Sequence, residues 1–283
     1  MSQLTIHKNI PLLGLHKKPI ITDFYYQNNQ TKKPVVVFCH GYKGYKDWGA
    51  WHLMLKSFAS AGFFTIAFNF SHNGGTLENP IDFPDLEAFG NDNFTKQQDD
   101  LQSVIDEVFE DKFKFKEEVD LTKVSLIGHS RGGAMTIIKA AAEKRISKIV
   151  TLASISTYEN SFPEGKELED WKREGVTYVI NGRTKQKMPL YYQLYENYSQ
   201  NKERFNAAVA AKKIQVPHLI VHGTEDKAVV IENAEILHKN SKQSELYLLE
   251  TDHVFGAKQP WEEANMPEAL LQITEKTIAF LKA

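Results

Sequence analysis

In "VSLIGHSRGG", residues 124–133, four mostly apolar residues run into Gly128, His129, Ser130, Arg131, Gly132 and Gly133. The run "KVSLIG" (123–128) reads as a strand and "GGAMTIIKAAAEK" (132–144) as a helix. Between a strand and a helix, a G-x-S-x-G sequence makes a tight turn that thrusts its serine beyond the sheet edge. Glycine suits positions 128 and 132 because it tolerates strained dihedrals and close backbone. The plainer reading is an ordinary turn in which Ser130 caps the helix.

Working outward, short apolar runs alternate with amphipathic stretches. Strands are expected at 34–41, 63–70, 148–154, 217–223 and 245–250. Helices are expected at 47–62, 95–109 and 267–281. Near-continuous apolar strands alternating with helices imply a parallel sheet covered on both faces, an α/β architecture. The segments "LTIHKNI" and "PIITDFYYQ" precede any helix and read as an antiparallel hairpin at the sheet edge. Residues 155–215 separate two strands by more than a crossover needs, and a structureless loop of that length is rare in a compact domain. They read as an inserted helical lid, with "EGKELEDWKREG" and "MPLYYQLYENYSQNKERF" as its helices. The core is then 1–154 and 216–283.

A serine hydroxyl is far from ionised at neutral pH, so a nucleophilic Ser130 needs a base, an orienting acid and N–H donors for an oxyanion. Parallel sheets place ligands at the C-terminal ends of their strands. Asp226 in "IVHGTEDKAVV" and His253 in "LYLLETDHVFG" each lie just past a strand, with Glu225 a rival acid. "FCHGYKG" ends an early strand, and its loop can present the Tyr42 amide toward Ser130, with the Arg131 amide as second donor. His129 is expected to pack beside the turn and His40 to make structural hydrogen bonds beneath the loop. His218 and His222, four apart on a strand, stand about 13 Å apart and cannot share a metal. No metal constellation and no cofactor are expected.

The totals set bounds. The chain has 283 residues, 42% hydrophobic and 25% charged, with net charge −2. That balance calls for neither nucleic acid nor a membrane surface as partner. The single cysteine, Cys39, allows no intrachain disulfide and lies in an apolar run. No signal peptide and no membrane span are read, so the expected location is the cytoplasm. The sequence leaves a homodimer open.

"CHGYKGYKDWG", "FNFSHNGGT", "GHSRGG", "HGTEDKAV" and "TDHVFG" together resemble the α/β-hydrolase superfamily, over roughly residues 20–283. Within it the chain looks like the lidded serine esterases grouped with cinnamoyl (feruloyl) esterases and dienelactone-hydrolase-like proteins. The resemblance implies Ser130 as nucleophile, His253 as base and Asp226 as acid, in that superfamily's chain order. It implies an oxyanion hole from the amides of Tyr42 and Arg131, and a small carboxylic ester as substrate. The chain departs from the group at Ser130, where dienelactone hydrolases proper carry cysteine. It departs again at Asn69 and Ser71, where many relatives have Asp and Arg. The same triad can cleave amides, so a peptidase acting on short peptides or acyl-amino acids is the competing enzyme class. A non-catalytic binding module is the third reading. The lid residues Met188, Tyr191, Tyr192, Tyr195 and Tyr198 are expected either to wall the substrate site or only to dock the lid. Arg183, Lys185 and Lys187 read as a solvated charge run or as an attractor for an anionic group.

Overall fold

The computed structural model describes residues 3–283. In chain order its main elements are β1 (Gln3–Leu13), β2 (Pro19–Asn28), β3 (Lys33–Cys39), α1 (Trp51–Ser60), β4 (Phe64–Asn69), α2 (Leu86–Gly90), α3 (Phe94–Phe109), β5 (Val119–His129), α4 (Arg131–Ala140) and β6 (Ile146–Leu152). They continue with α5 (Gly165–Glu174), β7 (Val176–Ile180), β8 (Lys187–Tyr191), α6 (Gln193–Gln200), α7 (Ala207–Ala211), β9 (His218–Gly223), α8 (Glu232–Asn240), β10 (Ser244–Leu249) and α9 (Glu268–Lys282).

Eight strands form one sheet in the order β1-β2-β4-β3-β5-β6-β9-β10. β1 and β2 pair antiparallel, and β2 runs antiparallel to β4; the other pairings are parallel. The parallel sheet and its antiparallel edge hairpin are those read from the sequence. The apolar runs have a direct physical cause. Val35, Val37 and Cys39 of β3 enter one core, with Leu101, Val104, Met135 and Ile138 of α3 and α4. Val36 and Phe38 enter the opposite core, with Met54, Leu55, Phe58, Leu270 and Ile273 of α1 and α9. Successive strand side chains face opposite sides, so a strand buried on both sides must be apolar at every position.

The region 155–215 differs from its expected form. α5 falls where a helix was read, but "MPLYYQLYENY" is not one helix. Lys187–Tyr191 pairs antiparallel with Val176–Ile180, making a separate two-stranded sheet, and the helix begins only at Gln193. Tyr191 therefore shares no helical face with Tyr195 and Tyr198. The reason is local: β-branched and aromatic residues at 176–180 lead into Asn181-Gly182, a turn-forming pair that favours hairpin return. A further helix, α8, lies between β9 and β10 and buries only Ala234 and Leu237. Among the described residues no helix is long and apolar enough to cross a membrane.

The loop after β3 is anchored from below. Lys46, fully buried, pairs with buried Asp23 of β2 at 2.9 Å, and its amide donates to Asn69 Oδ1 at 2.7 Å. Asn69 Nδ2 donates to the Pro80 carbonyl at 2.7 Å. Asn69, at the end of β4, thus ties the Lys46 loop to the Pro80 loop.

Candidate active site

β5 delivers Ser130 to the top of the sheet between β3 and β6. Its backbone has φ 55° and ψ −120°, outside the regions that L residues normally occupy. The Ser130 amide donates to the Leu152 carbonyl at 2.8 Å, which holds the turn against β6. The neighbouring glycines are sterically required. A Cβ at Gly128 would lie 2.2 Å from the Gly132 carbonyl oxygen, and one at Gly132 would lie 2.4 Å from that of Cys39.

Two other strand ends meet this serine. His253 follows β10, and its Nε2 lies 3.1 Å from Ser130 Oγ. Its Nδ1 lies 2.7 Å from Oδ2 of Asp226, which follows β9. A carboxylate only accepts, so Nδ1–H donates to Asp226 and bare Nε2 accepts from the serine hydroxyl. Asp226 Oδ1 also accepts the amides of Ala228 and Val229, both at 2.8 Å. Burial works to raise the Asp226 carboxyl, but the bonds from His253 and these two amides outweigh it and hold the group below its ordinary value. Glu225, the rival acid, is exposed and does not enter this arrangement.

His129 has a structural role that its place beside the turn only hinted at. Burial pushes its imidazole down to about 3, so it is neutral, and its Nε2–H donates to the His253 carbonyl at 2.9 Å. Its ring also packs 4.8 Å from that of His253 and 5.1 Å from that of Trp51. It fixes the backbone that carries His253. His129→Leu deletes a buried donor, and we expect it to cost about 1–3 kcal/mol, read as a shift of the urea midpoint. An unchanged midpoint would contradict this role.

The loop carrying Gly41 and Tyr42 abuts the serine: a Cβ at Gly41 would sit 3.0 Å from Ser130 Cβ. Arg131 opens α4, where first-turn amides lack intrahelical acceptors. Its guanidinium stacks 4.0 Å from the centre of the Tyr42 ring, tying that loop to the helix start. Beneath lie Tyr42 Oη, His40 Nε2 and Asp92 Oδ1, all buried and without hydrogen-bond partners among the described residues. His40 Nδ1 meets the Gly41 carbonyl at 2.9 Å.

Burial pushes the Asp92 carboxyl up to about 7, against the pull of Gln97, Arg131 and Lys96. The folded chain therefore holds this proton more tightly than the unfolded chain, whose aspartates titrate near 4. The contribution of this one carboxyl to stability falls as pH rises from about 4 to about 7, by up to about 1.4 kcal/mol per pH unit. Asp92→Asn removes that dependence. Urea unfolding at pH 5, 6, 7 and 8 should show the variant gaining on the wild type with pH, and the gap levelling above about 7. A gap independent of pH would contradict the buried placement of this carboxyl.

A cleft of about 230 Å³ opens at Ser130 and His253, lined also by Tyr42, Lys43, Trp48, Asn181 and Val254. The lid residues singled out from the sequence lie elsewhere. Met188 is fully buried with Tyr45, Phe83 and Phe89. Tyr191 donates its hydroxyl to Glu87 Oε2 at 2.5 Å. Tyr192 and Tyr195 pack with Trp171 and Phe162. These four residues join the 155–215 segment to itself and to the core, and the hairpin turn contributes Asn181 to the cleft instead. Lys43 and Val254 are sequence neighbours of residues already singled out. Asn181 was signalled only by its turn-forming pair with Gly182. Among the described residues no group of three or more His, Cys, Asp or Glu side chains is arranged to hold a metal ion.

The sequence matches the family model described as alpha/beta hydrolase fold over residues 34–186, more than half of the chain. The chain belongs to the α/β-hydrolase fold family. No curated protein matches it. Among solved structures it is similar to Est1E from Butyrivibrio proteoclasticus with ferulic acid bound, at 18% identity and TM-score 0.70, covering 94% of this chain and 96% of that one. It is similar to an esterase domain from Rhodothermus marinus at 16% identity and TM-score 0.64, covering 98% and 97%. A monoacylglycerol lipase from Paleococcus ferrophilus is similar at 19% identity and TM-score 0.63, covering 93% and 98%. At these identities the likeness is one of fold.

Proposed function

We infer that this protein is a serine hydrolase of small carboxylic esters, acting through an acyl-enzyme. The observation that carries the reading is the hydrogen-bonded line Asp226–His253–Ser130, with distances of 2.7 and 3.1 Å. It sits at three strand ends and opens on a cleft. In this reading His253 Nε2 takes the proton as Ser130 Oγ attacks the ester carbonyl, and Asp226 stabilises the imidazolium. The amides of Tyr42 and Arg131 receive the oxyanion, each worth roughly 3 kcal/mol in comparable sites. His253 then returns the proton to the departing alcohol, and a water, deprotonated by the same nitrogen, hydrolyses the acyl-enzyme. Residues 155–215 form the lid of this reading, since Asn181 from their hairpin turn reaches the cleft. Solved structures of similar fold include proteins titled esterases and a lipase, which agrees with this class.

The test sets p-nitrophenyl acetate and butyrate beside p-nitroanilides of the same acyl groups. Ester turnover without anilide turnover is the expected result. Comparable anilide cleavage would move the protein to the peptidase class.

A further inference from the structure

The cleft at Ser130 does not end at Val254. Lys43, Trp48, Asn181 and Val254 line it, and all four also line a second cavity of about 280 Å³. The two are one continuous groove. Its far wall carries Tyr45, Phe83, Arg183 and Lys258. Taken together, the two cavities are lined by three basic side chains, Lys43, Arg183 and Lys258, and by no carboxylate. Arg183 is already paired with Asp82, which also accepts from the Tyr45 hydroxyl at 3.1 Å. Lys43 and Lys258 have no carboxylate within ion-pair distance among the described residues, whereas the neighbouring Lys46 and Lys8 do.

Two further features favour a ligand here. Lys43 has φ 51°, a left-handed conformation that glycine or asparagine would adopt more readily, yet a long cation occupies it. Asn181, which lines both cavities, has its Oδ1 taken up by the amides of Arg183 and Thr184 at 3.0 and 3.3 Å, so its NH₂ group is the part free to donate to a ligand. Trp48 supplies an aromatic surface between the serine and the cations.

Resting on the esterase reading above, we propose that the groove selects esters bearing a carboxylate. A short apolar or aryl spacer lies along Trp48, and the anion is received by Lys43, Lys258 and the Asn181 amide. The reaction is unchanged: water splits the ester, and the anionic group is held but not altered. The cations act on substrate before and during acylation alike, so their contribution belongs to KM more than to kcat.

The experiment compares two matched pairs of esters. Mono-4-nitrophenyl glutarate and 4-nitrophenyl pentanoate place the charge on the acyl side. 4-Acetoxybenzoate and its methyl ester place it on the alcohol side. At low salt the wild type should favour the anionic member of at least one pair by tenfold or more in kcat/KM. The preference should shrink in 0.5 M NaCl, because exposed charges are screened. In Lys43→Met/Lys258→Met the anionic-to-neutral ratio should fall about tenfold, chiefly through KM, and Lys258→Glu alone should lower it too. Turnover of the neutral esters with no anionic preference in either pair overturns this proposal and leaves the esterase reading standing. No turnover of any of the four overturns the esterase reading and this proposal together.

Discussion

Ser130→Ala should lower kcat for p-nitrophenyl acetate by a factor on the order of 10⁴ to 10⁶ while leaving the fold intact. The first number follows from the geometry. Ser130 Oγ is the atom that His253 Nε2 meets at 3.1 Å, and no other hydroxyl or thiol lines that cleft near the imidazole except the buried phenol of Tyr42. Cys39 cannot substitute, since it is fully buried in the core and its thiol is pushed well up by burial. Each factor of ten corresponds to about 1.4 kcal/mol of transition-state stabilisation, so the loss amounts to roughly 5–8 kcal/mol. The intact fold follows because alanine inherits the same φ of 55° and loses only one hydrogen bond at the cleft surface. His253→Ala should act on the same scale, and the double variant should be little worse than either single one, as for residues that work as a unit. Steady-state kinetics with a circular-dichroism melt on each variant checks all three points. A loss below tenfold for Ser130→Ala would remove the serine from the mechanism.

Gly132→Ala should be strongly destabilising for so small a substitution. Its methyl would sit 2.4 Å from the Cys39 carbonyl oxygen and 2.5 Å from that of His40. Both are backbone atoms at the end of β3, in the middle of the parallel sheet, and neither can turn aside as a side chain could. Relief requires moving α4 away from β3, which opens the core around Ala134 and Met135. Overpacking in a well-filled interior costs about 1–3 kcal/mol, and more where backbone must shift. Against a total stability of about 5–15 kcal/mol, a loss above about 3 kcal/mol is expected here. Gly182→Ala is the matched control, because nothing lies within 4 Å of its added methyl; its effect should stay within about 0.5 kcal/mol. Urea midpoints for the two variants against wild type decide the matter, and equal midpoints would contradict the close packing of α4 on β3.

The parts legible in the sequence share one physical feature. Val35–Cys39, Leu126–Ile127 and Leu219–Val221 are apolar at every position because both faces of those strands are covered. Ser130 and Asp226 could be singled out because each stands one to three residues past such a strand, and His253 because it stands four residues past the edge strand β10. The segment 176–191 was not legible as a hairpin. "MPLYYQLYENY" satisfies helical spacing as well as strand alternation, and only pairing with Val176–Ile180 decides between them. α8 was missed because its two buried side chains give too little periodicity to read. Asp92 lies on the connection between α2 and α3, and Asn181 in the turn of the small β7–β8 hairpin, both away from the strand ends of the main sheet. Tertiary packing, not local pattern, sets what surrounds them.

The most direct test of Ser130 as an activated nucleophile is covalent labelling of the folded protein with a fluorophosphonate probe, with the modified peptide located by mass spectrometry. The expected result is a single adduct on Ser130, abolished in Ser130→Ala and in His253→Ala. An adduct on another residue, or no adduct on protein shown to be folded, would contradict the account.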